Sequence, residues 1–294
     1  MTICPCLAGP AGWSHPDWNS IVYPRPQRRG FHSLEFLANY VDLVEINTSF
    51  YQPLRPEVSR LWLSKTAHNR AFRFTAKLGR RFTHERILDA ADVAAFKEGL
   101  WPLYRAGRLG GLIMQFPWSF RFTSDNREFF IKLRRTFHEF PLAAEMRHAS
   151  WACDEAVGTF IDYRVAFVNV DQPQRVKAMP PTALLTSPTG YVRFHGRSER
   201  SEEEGAKYLY SPSDLNEWKQ RIAHLRAHAD SVYVSFTNTV GARALVNVLQ
   251  VNACEGLRPA RVAPAGLLRR YPLELSEFHP DRAVQQNLFT GRAA

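Results

Sequence analysis

Eight short segments of apolar or alternating residues recur along this chain of 294 residues, each bounded by turn-forming residues. The starts of neighbouring segments lie 24 to 40 residues apart, and a strand with its crossover helix takes about 30 residues or more. This rhythm is typical of a chain built from repeated strand–helix units. The segments cover residues 7–13, 42–47, 72–78, 111–116, 142–147, 166–171, 191–196 and 231–238.

Helical patterns fill most of the intervals between these segments. They include residues 33–41, 57–66, 89–105 and 212–228. The last of them begins with strong start signals, with Ser211 as the N-cap, Pro212 in the first turn and Asp214 shortly after. Eight strands that alternate with helices predict an α/β fold, a single parallel (β/α)8 barrel of the TIM type.

Two units of this pattern are irregular. Pro10 interrupts the first segment. The stretch between residues 171 and 191 contains four prolines and no sustained helical period. Because proline removes a backbone donor and breaks helices, we expect this crossover to be a loop rather than a helix.

The barrel is expected to occupy residues 1–254 as one domain. Beyond it the chain becomes rich in proline and arginine, and residues 255–294 are expected to pack on the barrel or to be partly mobile. No apolar run approaches the roughly 20 residues that a membrane span needs, and the start lacks the basic region of a signal peptide. We therefore expect a cytoplasmic protein that has no membrane partner.

The formal net charge is +10, which favours anionic partners, nucleic acid included. The basic pairs are dispersed, however, at residues 28–29, 80–81, 134–135 and 269–270. Charge alone therefore does not locate a binding surface.

Ionisable and amide side chains collect at the carboxyl ends of the predicted strands, whereas several strands begin with apolar residues. In barrels of this type the carboxyl ends form the working face. Glu45 with Asn47, and Glu145 with Arg147, are two positions apart, so both side chains of each pair point the same way along a strand. The residues expected at this mouth are Trp13, Glu45, Asn47, Lys77, His84, Gln115, Glu145, Arg147, Asp171, Arg193, His195, Arg197 and Asn238.

The residue types at this mouth indicate chemistry on an anion. Arg193, His195 and Arg197 share one parity in the segment YVRFHGR, which would place them on one face of a strand. Arginine and lysine bind phosphate or carboxylate. We expect these arginines and Arg147 to hold an anion, with Asn47, His84, Gln115, Asp171, Asn238 and Trp13 as further binding residues.

Four residues at the mouth are the candidates for catalysis. Glu45 or Glu145 is expected to act as general base and His195 as general acid. Lys77 is expected to stabilise the charge that develops in the reaction.

Two alternatives stay open for the same residues. Glu145 and Arg147 could form an ion-pair network that only satisfies the charges of the mouth. Glu45, Glu145, Asp171 and His195 could bind a divalent metal, although nearby cations would repel it. No other cofactor is expected, because the chain contains neither GxGxxG nor a phosphate-binding P-loop sequence.

Several aromatic residues lie just beyond the strand ends. Such residues either belong to the core or stack on bases or sugar rings. They are Trp13, Trp18, Tyr23, Phe50, Tyr51, Trp118, Phe120 and Trp151.

Nine blocks, in order along the chain, resemble the signature segments of the YecE-like family, known as domain of unknown function 72. They run from AGPAGWSHPDWNSIVYP at 8–24, through FRFTAKLGRRFTHE at 72–85 and AEMRHASW at 144–151, to YVRFHGR at 191–197 and VYVSFTN at 232–238. The resemblance extends to about residue 252 and implies a TIM-type barrel. It implies no activity, because the family is uncharacterised.

These observations predict a hydrolase or lyase that acts on a phosphorylated or carboxylated substrate, which could be the phosphodiester of a nucleic acid. The alternative is a non-catalytic protein that binds nucleic acid or a charged metabolite with the same mouth. The expected partner is thus a small anionic substrate or a nucleic acid.

Overall fold

A computed structural model describes residues 4–254, 256 and 262–278 of the chain. Eight parallel strands form one sheet in which neighbours follow chain order from β2 to β8, and β8 pairs with β1. Beyond the end of β1, Ala11 bridges to Glu45 of β2, so the sheet closes into a barrel. The strands are β1 (Cys6–Pro10), β2 (Leu43–Ile46), β3 (Arg73–Lys77), β4 (Leu109–Gln115), β5 (Leu142–Glu145), β6 (Ala166–Asp171), β7 (Thr189–Phe194) and β8 (Ser231–Phe236).

Helices cover the outside of this barrel and bury the outer faces of its strands. The α-helices are α1 (Ser33–Leu37), α2 (Pro56–Lys65), α3 (Arg80–Thr83), α4 (Ala90–Arg105), α5 (Ser124–Thr136), α6 (Asp154–Asp162), α7 (Glu202–Ala206), α8 (Pro212–His228), α9 (Arg243–Cys254) and α10 (Ala265–Arg270). The predicted (β/α)8 barrel is confirmed. The first helix is shorter than expected, since it ends at Leu37 and the chain then turns.

Side-chain caps fix the start of the longer helices. Asp89 accepts the backbone N–H of Ala91 at 2.9 Å at the start of α4. At the start of α8, Ser211 and Asp214 form a capping box, each side chain accepting the other's backbone N–H. This is the start that the sequence predicted for that helix.

The crossover between β6 and β7 is a loop, as predicted. None of residues 172–188, all of which the structure describes, is helical. Asn169 of β6 holds this loop, because its Oδ1 accepts the N–H of Leu184 at 2.8 Å and the hydroxyl of Thr182 at 2.7 Å. The buried hydroxyl of Thr186 fixes the end of the loop, since it donates to the carbonyl oxygen of Val165 at 2.6 Å and accepts the N–H of Phe167 at 2.9 Å.

The first strand forms despite its proline. Pro10 is the last residue of β1, and a strand end tolerates the missing N–H. Gly9 is required for a different reason, since a Cβ atom there would lie 1.8 Å from the carbonyl oxygen of Leu43. The backbones of β1 and β2 therefore approach each other only because residue 9 has no side chain.

Residues 262–278 lie against the barrel. Leu267 of α10 is fully buried, and the hydroxyl of Tyr271 donates to the carbonyl oxygen of Gly241 at 2.6 Å. The rest of the expected C-terminal extension, residues 255, 257–261 and 279–294, lies outside the described residues. Within the part that is described, no helix has the length and apolar character to cross a membrane.

Candidate functional site

A cavity of about 820 Å³ opens at the carboxyl ends of the strands. Seven predicted site residues line it: Asn47, Lys77, His84, Gln115, Arg147, Arg193 and His195. The other lining residues are Phe50, Tyr51, Phe116, Pro117, Trp118, Gln172, Pro173, Arg175, Val176, Ala178, Gly196, Ser198, Ser201, Gly205 and Thr237. The structure thus brings together just over half of the residues that the sequence placed at the mouth.

Arg193 forms the floor of this cavity and is almost completely buried. It projects inward from β7 and donates to both carboxylate oxygens of Glu45, from Nη2 at 2.6 Å and from Nε at 3.1 Å. Its Nη1 donates to Glu145 and lies 3.3 Å from Oε1 of Gln115. One guanidinium therefore joins β2, β4 and β5 across the barrel axis.

Glu45 is held from below as well as by Arg193. Tyr191 lies two residues before Arg193 on β7, so it also points inward. Its hydroxyl is 3.3 Å from Oε2 of Glu45 and donates to the hydroxyl of Thr75 at 2.9 Å. Glu45 has no solvent-exposed surface, which makes it a positioning residue for Arg193 rather than a group that substrate contacts.

Glu145 is a second fully buried carboxylate. Its Oε1 is 2.7 Å from Nε of Arg147, whose Nη1 donates to Gln172 at 3.1 Å. Burial alone would raise the pKa of Glu145, but the guanidiniums of Arg147 and Arg193 hold that pKa well below its usual value. Glu145 is therefore ionised at neutral pH and poorly suited to accept a proton.

His195 lies one residue beyond the end of β7, between Glu145 and Thr237. Its Nε2 is 3.2 Å from Oε2 of Glu145, and its Nδ1 is 3.1 Å from the Thr237 hydroxyl. Burial and the charge of Arg147 lower the pKa of His195 to about 3. The neutral ring has one N–H, and the ionised carboxylate can only accept, so we assign the hydrogen to Nε2.

Lys77 ends β3 and points its ammonium group into the cavity. Its Nζ lies 4.4 Å from the centre of the Phe50 ring, and it has no hydrogen bond or ion pair to any described residue. Burial and the nearby charge of Arg193 lower the pKa of Lys77 to about 8. The Ser49 hydroxyl fixes the backbone there by donating to the carbonyl oxygen of Lys77 at 2.7 Å.

His84 lines the cavity on the same side as Lys77 and Phe50. Its ring stands edge-on to Phe50, with centroids 5.3 Å apart, and its Nδ1 is 2.9 Å from the Thr83 hydroxyl. Burial, Arg80 and Lys77 all lower the pKa of His84. The imidazole is therefore neutral at pH 7, which leaves its other ring nitrogen able to exchange a proton.

Asp171 and Arg197 lie outside the cavity lining, in contrast to the sequence expectation. Gly196 has a φ of +82°, and this left-handed turn removes Arg197 from the face that carries Arg193. Arg197 then pairs with Asp171 at 2.8 Å, with Asp214 at 2.9 Å and with Glu217 at 2.7 Å. The predicted row of three cations on one face is thus broken after His195.

Trp13 and Asn238 also lie outside the cavity lining. Trp13 is nearly buried, edge-on against Trp62 at a centroid distance of 4.9 Å. Asn238 is fully buried and donates to Asn247 of α9 at 2.9 Å and to the carbonyl oxygen of Tyr208 at 2.8 Å. Both side chains hold the structure around the mouth.

Among the expected aromatics, only Phe50, Tyr51 and Trp118 line the cavity. Trp18, Tyr23, Phe120 and Trp151 are core residues. Sequence reasoning missed Gln172 and Thr237, each one residue from a residue that it chose. Their position at a strand end could have identified both residues, but the sequence did not show which side chain at each strand end points into the cavity.

The alternative metal ligands are not assembled into one site. Arg193 occupies Glu45 and Glu145, while Asp171 is bound by Arg197. Among residues 4–254, 256 and 262–278 no group of three or more His, Cys, Asp or Glu side chains is arranged to hold a metal ion.

The fold places this protein in the class of (β/α)8 barrels of the TIM type. The chain belongs to the family described as protein of unknown function DUF72, whose model matches residues 7–267. The expected resemblance is therefore confirmed.

Similar proteins come from several bacteria. The UPF0759 protein YunF of Bacillus subtilis is 26% identical in an alignment 287 positions long that covers 88% of this chain and 98% of YunF. The UPF0759 protein YecE of Escherichia coli is 34% identical over 110 residues, 37% of this chain and 36% of YecE. The crystal structure of a DUF72 family protein from Thermotoga maritima gives a TM-score of 0.75 at 30% identity, covering 86% of this chain and 99% of that one.

Proposed function

We propose that this chain is an enzyme that binds a small carboxylated or phosphorylated substrate in the cavity and acts on it as a hydrolase or lyase. The observation that carries the proposal is the environment of the Lys77 ammonium group. Its ammonium group faces the cavity, and it makes no hydrogen bond or ion pair within the described residues. A buried positive charge without a counter-ion is costly, and an anionic group of the substrate would supply that counter-ion.

The two arginines of the cavity floor support this assignment because they are already paired. Arg193 is bound by Glu45 and Glu145, and Arg147 by Glu145. Together with Lys77, these arginines carry three positive charges, and the two carboxylates offset two of them. One excess positive charge therefore remains, at Lys77. Arg147 remains part-exposed beside the cavity and adds a second group that an anion can contact.

The roles of the acidic residues follow from the same contacts. Glu45 and Glu145 are fully buried beneath Arg193, so we assign them to positioning Arg193 and His195 rather than to proton transfer. Lys77 and His84 face the cavity and have lowered pKa values, which suits groups that exchange protons near neutral pH. Gln115, Gln172 and Thr237 provide neutral hydrogen-bonding groups that can orient the substrate.

Calorimetry with sulfate, phosphate and small dicarboxylates tests the binding step. Lys77→Met should weaken binding by about tenfold or more, equivalent to about 1.4 kcal/mol. Lys219→Met, on the exposed face of α8, is the matched control and should leave affinity unchanged. A panel of phosphate esters and hydroxy or oxo acids then tests turnover. Equal anion affinity in both variants, or no product from any class, would count against the proposal.

The second candidate is a protein that binds single-stranded nucleic acid. It is favoured by two exposed aromatics at the cavity rim, Tyr51 at 79% and Trp118 at 46% exposure. Arg121 lies 5.4 Å from the Trp118 ring, and aromatic–arginine surfaces of this kind stack on bases. This candidate predicts oligonucleotide affinity that falls steeply with salt and that is lost when Tyr51 and Trp118 are both changed to alanine. Oligonucleotide binding that changes neither with salt nor in the double variant would exclude this candidate.

A further inference from the structure

We infer that Lys77 is a nucleophile whose Nζ forms an imine with the carbonyl carbon of an anionic substrate, either an oxo acid or a phosphorylated carbonyl compound. The inference rests on the proposed function, because Arg147, which lines the same cavity and is part-exposed, holds the anionic group and so brings the carbonyl to Lys77. It goes further by naming the substrate class, an anionic carbonyl compound, and by assigning the bond-forming atom, Nζ of Lys77.

The Lys77 amine has no carboxylate partner among the described residues. The chain contains seven lysines, and three others are held by carboxylates: Lys65 by Glu35, Lys97 by Glu139 and Lys207 by Glu204. Lys77 instead contacts the face of Phe50. An amine must carry a free lone pair to attack a carbonyl, and an ion pair to a carboxylate would keep it protonated. Lys77 is the cavity-lining amine that lacks such a pair within the described residues.

The surroundings of Lys77 favour the neutral form of its amine. Burial and the cations Arg193 and Arg147 favour the neutral amine, and the carboxylates of Glu45 and Glu145 oppose them, with a net lowering of the Lys77 pKa to about 8. At pH 7 about one amine in ten is then neutral, compared with fewer than one in a thousand for an ordinary lysine. Desolvated lysines beside another cation are activated in this way.

The imine product carries the same positive charge as the resting ammonium group of Lys77. The neutral amine attacks the carbonyl carbon, and a carbon–nitrogen bond forms while the carbonyl oxygen takes up a proton. The nitrogen then passes one proton to the new hydroxyl group, which leaves as water, and a protonated imine remains. The balance is one amine, one carbonyl and one proton giving one iminium ion and one water. The iminium nitrogen carries the charge that Lys77 had before, next to the anionic group.

His84 is placed to move the protons of this step. It lines the same cavity wall, and both Lys77 and His84 contact the ring of Phe50. Its Nδ1 is occupied by the Thr83 hydroxyl, so Nε2 is the nitrogen that can serve the leaving oxygen. Glu145, fixed between Arg147, Arg193 and His195, is not available for this role.

Borohydride trapping tests the inference on the full-length protein. Wild-type protein is incubated with glyoxylate, pyruvate or dihydroxyacetone phosphate, reduced with sodium borohydride, and analysed by intact mass and peptide mapping. We expect one adduct, on Lys77, at least about tenfold above any other lysine. Lys77→Arg keeps the positive charge but lacks a nucleophilic amine, so its adduct should vanish. Lys97→Arg is the matched control and should trap normally.

Sulfate binding, measured on the same samples, separates the two proposals. Sulfate binding by the wild type and by Lys77→Arg without any trapped adduct would overturn the imine step and leave the anion site intact. Absence of both binding and trapping would overturn the proposed function together with the inference. Equal labelling of Lys77 and the exposed lysines would also overturn the inference, because it indicates non-specific reaction. Circular dichroism melts confirm that Lys77→Arg is folded.

Discussion

Removal of Arg193 should be among the most destabilising single changes in this barrel. Arg193→Met keeps a long apolar stem but removes the guanidinium that binds Glu45, Glu145 and Gln115. All the carboxylate oxygens concerned belong to residues with no exposed surface. The variant therefore leaves negative charge buried in the barrel without its main partner.

The contacts indicate where the cost falls. Without Arg193, Glu145 keeps Arg147 at 2.7 Å and His195 at 3.2 Å. Glu45 keeps only the Tyr191 hydroxyl, at 3.3 Å, among the described side chains. Breaking a buried ion pair by removing one partner costs about 3–5 kcal/mol, and we expect a loss in this range from Glu45 alone.

A double variant shows whether the loss comes from the orphaned carboxylate. Arg193→Met combined with Glu45→Met removes both partners, and replacement of a buried pair by apolar groups is often close to neutral. The loss of unfolding free energy in the double variant should therefore be smaller than the sum of the losses in the two single variants, by about 1–3 kcal/mol. Arg60→Met, which breaks an exposed pair with Glu57, is the control and should change stability by less than about 0.5 kcal/mol.

Urea unfolding followed by fluorescence measures these differences, provided that the m-values of the variants agree. A loss below about 1 kcal/mol for Arg193→Met would show that Glu45 and Glu145 do not depend on Arg193 for their burial. Strict additivity in the double variant would refute it as well, because it would mean that Arg193 and Glu45 do not interact.

Gly9→Ala should prevent or severely impair barrel closure, since its Cβ would lie 1.8 Å from Leu43 O; urea unfolding compares it with Gly158→Ala, where nothing lies within 4 Å, and wild-type stability of Gly9→Ala would contradict this. Arg197→Leu should cost about 1–3 kcal/mol in urea unfolding, because it leaves the buried Asp171 with neutral partners, yet sulfate affinity should be unchanged; a parallel loss of sulfate affinity would contradict the placement of Arg197 outside the cavity. Sulfate affinity should fall between pH 7 and pH 9 in calorimetry, because the pKa of Lys77 is lowered to about 8 and its charge is lost above that value; a decline of the same size in Lys77→Arg would assign the effect to another group.

The fold could be predicted from the sequence because its signals are local. Each strand is a short apolar run, α8 begins at a capping box formed by Ser211 and Asp214, and the proline-rich loop at 172–188 excludes a helix. The pairing that closes the barrel is different, since it depends on Gly9 lying against Leu43. That contact joins residues far apart in sequence and leaves no periodic signal.

The site could be predicted as a set of strand ends but not as a set of directions. Parallel strands in a barrel are buried on both faces, and β6 is buried at every position. Polarity therefore could not show that Asp171 turns outward, or that Gln172 beside it lines the cavity. At a strand end, a shift of one residue reverses the side-chain direction, which also explains the choice of Asn238 over Thr237.

The glycine after His195 explains why the cationic row ends where it does. Strand periodicity placed Arg193, His195 and Arg197 on one face. The left-handed φ of Gly196 ends that periodicity, and Arg197 then joins Asp171, Asp214 and Glu217. A glycine directly after a strand was a visible sign of a turn, but not of the direction that the next side chain takes.

Titration of the Lys77 side chain shows directly whether its ammonium group is unpaired in the free protein and binds an anion. In protein carrying ¹³C-labelled lysine, the Cε–H resonance of Lys77 is assigned by its absence in Lys77→Arg and followed against pH, with and without sulfate. The structure predicts a midpoint near pH 8 in the free protein, moving upward when sulfate binds, because a bound anion favours the charged amine. A midpoint near the ordinary lysine value of about 10.4 that sulfate does not move would contradict the claim.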